Sequence, residues 1–180
     1  EDIGANEIPC PGFVEPNCIS RNWYYSEMAG GQYFSRGSFI MGMDQTGKDQ
    51  NPVLRIMGFF EGKDPGKSRP RAGVRSRAQI TAENGFYVAG IDYMTVTGRE
   101  RPSFYLGKNL EQHLPPTRQQ WKKAILIVNN AFNAHESFNP LVRVWGTGTL
   151  LVDNVFLAKV TDIKFSVTEP WIVHIATIPR

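Results

Sequence analysis

The chain has 180 residues, of which 41% are hydrophobic and 21% are charged, and its formal net charge is +3. This length suits one domain with a real hydrophobic core, and the composition is that of an ordinary globular protein. A net charge of +3 does not indicate a nucleic-acid-binding protein, and no apolar stretch reaches the ~20 residues that a membrane helix needs.

Short apolar runs separated by Gly, Pro and Asn follow one another along the chain. After an extended arm over residues 1–20, we predict the main strands at Ser38–Met43, Val53–Phe60, Arg71–Ile80, Phe86–Thr97, Ser103–Leu106, Trp121–Val128, Leu141–Trp145 and Thr149–Val160. Residues 161–180 add an edge strand or lead to a neighbouring domain. About eight to ten antiparallel strands predict an all-β sandwich or barrel over residues 21–160.

Alternation within these strands predicts which side chains fill the core. In the strand from Phe86, the inward residues are Tyr87, Ala89, Ile91 and Tyr93, which places Asp92 on the opposite face. In the strand from Leu141, Val142 and Val144 point inward, while Leu141, Arg143 and Trp145 point outward. Leu110–Gln120 could hold a helical turn, which Pro115 and Pro116 interrupt.

The two cysteines, Cys10 and Cys18, are too far apart for a CxxC redox or zinc motif. A disulfide between them would close a short loop and would favour an oxidising, extracytoplasmic compartment. The alternative is a pair of reduced thiols in the arm. The opening residues Glu1 and Asp2 lack the pattern of a signal peptide, which leaves two alternatives, a mature secreted protein and an excised domain.

The sequence offers little catalytic chemistry. The three histidines, His113, His135 and His174, are far apart and form no HExxH pair. The chain has no GxSxG motif, no P-loop and no GxGxxG motif after a strand. We therefore predict no catalytic residues.

Three segments resemble strands of jelly-roll carbohydrate-binding modules, which belong to the galactose-binding-like β-sandwiches. They are Trp145–Leu157 (WGTGTLLVDNVFL), Asn84–Thr95 (NGFYVAGIDYMT) and Trp121–Val128 (WKKAILIV), and they occur in the order expected for that family. The resemblance extends over roughly residues 13–160. It implies a β-sandwich that binds a glycan.

The same resemblance implies a structural calcium ion between the N-terminal segment and the last strand. Asp153 matches the acidic residue of that strand, and Glu15 is the candidate from the N-terminal segment. Here the local order is Phe13-Val14-Glu15, which departs from the Phe-Glu of the family. Without calcium, Asp153 would be a surface carboxylate beside Asn154.

Aromatic platforms flanked by fixed polar groups suit sugars, and arginine suits their carboxylate or sulfate groups. Arg143 and Trp145 stand two residues apart and so share one face of a strand. If the neighbouring strands belong to the same sheet, the predicted ligand-binding residues are Trp145, Arg143, Arg75, Arg77, Asp92 and Arg55. The alternatives are arginines that only solvate the sheet and a Trp145 that packs beneath a loop.

These observations favour a non-catalytic module that binds a polysaccharide or oligosaccharide. An acidic polysaccharide is the predicted ligand, and the module would belong to a larger exported protein with a fused catalytic or membrane domain. A protein-interaction or structural β-sandwich domain is the alternative. A small β-sandwich polysaccharide lyase or hydrolase is a third interpretation.

Overall fold

A computed structural model describes residues 4–10, 12, 21–26, 35–42, 53–60, 71–130, 136–145, 148–160 and 172–177. Within these residues the chain forms thirteen strands. They are β1 (Trp23–Ser26), β2 (Ser35–Gly42), β3 (Val53–Phe60), β4 (Arg71–Ser76), β5 (Ile80–Thr81), β6 (Gly85–Thr95), β7 (Arg101–Gly107), β8 (Leu110–His113), β9 (Lys122–Asn130), β10 (Ser137–Phe138), β11 (Leu141–Trp145), β12 (Gly148–Lys159) and β13 (Ile172–Thr177).

Two large sheets form a β-sandwich. The five-stranded sheet has the order β1-β4-β11-β7-β8, and the six-stranded sheet has the order β13-β9-β6-β12-β3-β2. The short strands β5 and β10 pair with each other. The described strands pair in antiparallel fashion except β13, which runs parallel to β9. The predicted all-β sandwich is therefore confirmed, with thirteen strands where eight to ten were expected, and two of the thirteen have only two residues.

The core lies between the two sheets and follows the predicted alternation. Tyr87, Ala89, Ile91 and Tyr93 of β6 are at most 1% exposed and pack with Val142, Val144, Phe104 and Leu150. β-Branched and aromatic residues dominate this layer, as expected for side chains that pack on a pleated surface. Burial of this layer removes apolar area from water and fixes which face of each strand points outward.

The segment before β1 also joins the sandwich. The backbone N–H groups of Gly4 and Glu7 donate to the carbonyl oxygens of Lys159 and Leu157 at 2.8 Å. The side chain of Ile8 is 3% exposed and belongs to the core. This segment therefore lies beside the second half of β12, beyond Val152, where the pairing with β3 ends.

The stretch with a predicted helical turn contains a strand instead. Leu110–His113 forms β8, which pairs with β7 after a turn at Lys108 and Asn109. Asn109 has a φ of 64°, a left-handed conformation that asparagine tolerates better than most residues. No helix among the described residues is long and apolar enough to cross a membrane.

Candidate functional site

The outer face of the five-stranded sheet carries most of the predicted ligand-binding residues. Strand register aligns Arg75, Leu141, Tyr105 and Glu111 in one row, and Gly73, Arg143, Ser103 and His113 in the next. Trp145 is aligned with Arg101 in a third row. Paired positions share a face, so these side chains lie opposite Val142 and Val144, which fill the core. The predicted orientation of β11 is thereby confirmed.

One carboxylate oxygen joins three side chains on this face. Glu111 Oε1 accepts hydrogen bonds from Arg143 Nη1 at 2.8 Å and from Ser103 Oγ at 2.7 Å. Trp145 Nε1 lies 3.3 Å from both Glu111 Oε1 and Ser103 Oγ. The guanidinium carbon of Arg143 lies 5.1 Å from the centre of the Trp145 ring, within cation–π range. This network fixes the orientation of a half-buried indole.

Two other arginines of the face rest on tyrosine rings. Arg75 lies 5.4 Å from the centre of the Tyr105 ring, and Arg77 lies 5.2 Å from the centre of the Tyr24 ring. Arg75 Nη1 also donates to Asn139 Oδ1. At 36% exposure, Tyr24 is the most exposed large hydrophobic side chain in the described part of the chain. Arg75, Arg77, Arg143 and Trp145 therefore share one surface, as predicted.

Leu141 also points to this face, as the alternation predicted, yet it is 0% exposed. Alternation therefore determines the side of the sheet and not the accessibility of a residue.

Arg55 and Asp92 do not join this surface, which corrects the predicted set. Arg55 belongs to β3 and Asp92 to β6, and both strands lie in the six-stranded sheet. Asp92 is 2% exposed, and its Oδ1 lies 3.6 Å from Lys123 Nζ. Its Oδ2 accepts a hydrogen bond from Asn154 Nδ2 at 2.9 Å. The prediction failed because alternation gives the face of a strand but not the sheet that the strand joins.

Of the two predicted calcium ligands, Asp153 lies among the described residues and Glu15 does not. Asp153 is 4% exposed and lies at a bulge in β12, in register with Asp92. Its Oδ1 accepts the backbone N–H of Asn154 at 2.8 Å. Glu15 lies outside the described residues. Calcium takes six to eight oxygens, and the described residues bring no three His, Cys, Asp or Glu side chains together. The structural calcium ion therefore stays a prediction.

The remaining sequence candidates have different positions. Cys10 is partly buried against the core, while Cys18 lies outside the described residues, so the disulfide stays a prediction. Trp23 is 1% exposed and belongs to the core. Trp121 is half-buried against a small apolar cluster on the six-stranded sheet. His113 is exposed, with its ring centre 6.2 Å from that of Trp145, and His135 lies outside the described residues.

Sequence reasoning missed Glu111, Ser103, Tyr105 and the role of Tyr24. Glu111 was missed because its segment did not predict a strand. A usable signal was present: Gly107, Lys108 and Asn109 follow the short strand Ser103–Leu106 in the manner of a tight hairpin turn.

A buried glutamate holds the first residues of β12. Glu100 is 0% exposed, and its Oε1 accepts the backbone N–H groups of Thr97 at 2.8 Å and Thr149 at 3.0 Å. Burial alone would raise the pKa of Glu100. The backbone hydrogen bonds to the carboxylate outweigh burial, so the pKa lies below its ordinary value. Glu100 thus anchors the chain four residues after Trp145.

A concavity lies at the rim of the sandwich. It is an open groove of about 670 Å³ lined by Ala82, Glu83, Asn84, Glu136 and Lys159. The Glu83 carboxylate forms an ion pair with Lys159 across it. These lining residues include no aromatic side chain, so the groove offers no stacking surface for a sugar ring.

Comparison with solved structures identifies the fold. A CBM4 structure aligns with a TM-score of 0.56 and 16% identity, over 85% of this chain and 99% of that chain. A family 61 carbohydrate-binding module, solved in complex with β-1,4-galactotriose, aligns with a TM-score of 0.53 and 12% identity, over 87% of this chain and 99% of that one.

A CBM22-1 xylan-binding domain of Paenibacillus barcinonensis Xyn10C aligns with a TM-score of 0.53 and 14% identity, over 88% and 98% of the two chains. The enzymatically active domain of bacteriophage CBA120 tailspike protein 4 aligns at 0.54 and 10% identity, but over only 22% of that longer chain. No protein-family model and no curated protein matches the sequence. The chain therefore has the jelly-roll β-sandwich fold of carbohydrate-binding modules.

Proposed function

We propose that this protein is a glycan-binding module whose site is the outer face of the five-stranded sheet. The observation that carries the proposal is the half-buried Trp145, whose indole is held by Glu111, Ser103 and Arg143. Sugars combine an apolar ring face with a rim of hydroxyl groups, so an oriented indole beside fixed polar groups suits them. The solved modules with this fold that bind galactotriose or xylan support the proposal.

The polar groups on this face can exchange hydrogen bonds with hydroxyl groups. Glu111 can accept, because its side chain is 24% exposed even though Oε1 is already shared by three donors. Arg75, which lies in the same row as Glu111, and its hydrogen-bond partner Asn139 supply further polar atoms. Because these groups are held before the ligand arrives, less side-chain entropy is lost on binding.

The test is binding of the wild type, Trp145→Ala and Trp121→Ala to an array of neutral and acidic oligosaccharides. Trp121→Ala is the matched control, since it removes a half-buried indole from the opposite sheet. We expect at least about tenfold weaker binding for Trp145→Ala and unchanged binding for the control. Melting temperatures of all three proteins separate lost binding from lost folding. Equal binding by Trp145→Ala would reject this face as the site.

Catalysis is not part of the proposal, although a tailspike catalytic domain contains the same fold. Incubation of the protein with each polysaccharide, followed over time for reducing ends and unsaturated sugars, tests for a hydrolase or a lyase. Accumulation of either product would replace the binding module with an enzyme.

We also propose an extracytoplasmic location, a Cys10–Cys18 disulfide and attachment to a larger exported protein. Reduction of an intact disulfide adds the mass of two hydrogen atoms to the protein. Mass spectrometry of the purified protein before and after reduction detects this increase. A protein with two free thiols after purification in air would contradict the disulfide.

The predicted structural calcium is tested by EDTA, which should lower the melting temperature if the ion is present and leave it unmoved if Asp153 is not a ligand.

A further inference from the structure

The outer face of the five-stranded sheet is basic in its described part. It carries Arg75, Arg77, Arg101 and Arg143 against one carboxylate, that of Glu111. Glu111 compensates Arg143, which is 4% exposed, through a 2.8 Å ion pair. Arg143 is thus a support of Trp145 and offers little charge to a ligand.

Arg75 and Arg77 differ from Arg143 in the groups that they contact. Their contacts among the described residues are the rings of Tyr105 and Tyr24 and the neutral side chain of Asn139. No described carboxylate forms an ion pair with either guanidinium. Two positive charges therefore stand two residues apart on the same surface, with no described anion to balance them.

The guanidinium group of Arg75 and the backbone of Arg77 are also held in place. Asn139 accepts from Arg75 through Oδ1 and donates through Nδ2 to the carbonyl oxygen of Ser76 at 3.3 Å, so it ties the guanidinium to the backbone of β4. Arg77 is anchored by its backbone N–H, which donates to the carbonyl oxygen of Asn22 at 2.7 Å. An ordered guanidinium fork binds carboxylate and sulfate oxygens at a lower cost in side-chain entropy.

We propose that Arg75 and Arg77, flanked by Tyr24 and Tyr105, form a subsite for the anionic group of an acidic glycan. This inference rests on the proposed function and names its ligand class: a carbohydrate with carboxylate or sulfate groups. The galactotriose bound by the family 61 module and the xylan bound by the CBM22-1 domain are neutral glycans, so the charge preference comes from this chain's own residues.

The register also sets the minimum length of a ligand that contacts both the arginine pair and Trp145. Arg75 is paired with Leu141, and Trp145 lies four residues farther along β11. With a rise of about 3.3 Å per residue and a strand spacing of about 4.8 Å, the two positions are about 14 Å apart. A ligand that reaches both must be an oligosaccharide, with a charged residue at the arginine pair and an uncharged ring face at Trp145.

The experiment measures affinities at several salt concentrations for three oligosaccharide probes of matched length: a polygalacturonate fragment, a sulfated galactan fragment and a neutral galactan fragment. The proteins are the wild type, Arg77→Gln, Arg75→Gln/Arg77→Gln and the control Arg118→Gln/Lys122→Gln. The control removes two exposed charges away from this face, so its net charge equals that of the double variant. Arg77 is exposed, so Arg77→Gln tests the subsite even if the Arg75 change disturbs the fold.

We expect the wild type to prefer at least one anionic probe, and the preference to weaken as salt rises. Each arginine removed should weaken anionic binding by about tenfold and leave neutral binding unchanged. The carboxylate and sulfate probes identify which group is bound.

Equal affinity for anionic and neutral probes, or equal losses in the control, would overturn the subsite while Trp145 still defines a glycan site. An unchanged anionic preference in the double variant has the same meaning. Absence of binding to every probe would reject the proposed function together with the subsite.

Discussion

Removal of the Glu100 carboxylate should destabilise the fold without removing an exposed group. In Glu100→Ala, the backbone N–H groups of Thr97 and Thr149 lose their acceptor. An unsatisfied buried donor costs about 1–3 kcal/mol, and a hydrogen bond to a charged group is worth about 1.5–3 kcal/mol. Two effects reduce the total. Thr97 is an exposed residue, so water can reach its N–H, and the wild type already buries Glu100 Oε2 without a hydrogen-bond partner among the described residues.

The net loss in the free energy of unfolding should be about 2–3 kcal/mol. For a chain of this size each kcal/mol shifts the melting temperature by about 2–4 °C, so the midpoint should fall by about 4–12 °C. Urea unfolding followed by tryptophan fluorescence measures the free energy directly. Glu136→Ala is the matched control, because Glu136 is exposed, and its effect should stay within about 0.5 kcal/mol.

The effect should also depend on pH. The folded-state pKa of Glu100 is lowered, so its ionic contribution is complete above the pKa of the unfolded chain. That contribution disappears as pH falls through the folded-state pKa, and the gap between wild type and Glu100→Ala should narrow. Equal stability of the two proteins at pH 7 would refute the anchoring role. A gap of constant size from pH 7 to the lowest pH at which both fold would refute its ionic part.

Two further changes test the packing of β6. A Cβ at Gly90 would lie 2.4 Å from the carbonyl oxygen of Ala124 and 2.7 Å from the Phe156 ring, so Gly90→Ala should lose about 1–3 kcal/mol in urea unfolding, and a neutral result would contradict the close approach. Burial raises the pKa of Tyr93 to about 12 from 10.0. The unfolded chain then loses this proton first, so stability should fall between those two pH values. Tyr93→Phe should show a smaller fall over the same range, and an identical pH profile would contradict the assigned burial.

Local alternation predicted much of the candidate site because period-two geometry is set by the backbone of each strand alone. The Val142, Arg143, Val144 and Trp145 pattern gave the correct inner and outer faces. It could not show that Arg143 is covered, since that depends on Glu111 from a strand two positions away in the sheet.

Long-range pairing accounts for the failures. Arg55 and Asp92 alternate as predicted, but their strands pair with β12 in the other sheet. The free energy of strand pairing is the sum of many cross-strand contacts along the register. The sequence of a single segment therefore does not reveal which strand it pairs with. The Arg75–Tyr105 stack likewise joins residues on strands that are not neighbours in the sequence.

The placement of the two terminal segments has a practical use. Residues 4–8 lie along β12, and β13 adds to the edge of β9, so both belong to the six-stranded layer. An affinity handle fused at either extremity would start from the layer opposite Trp145. Tethering the protein to a sensor chip through such a handle should therefore leave the tryptophan-bearing surface turned toward the ligand in solution.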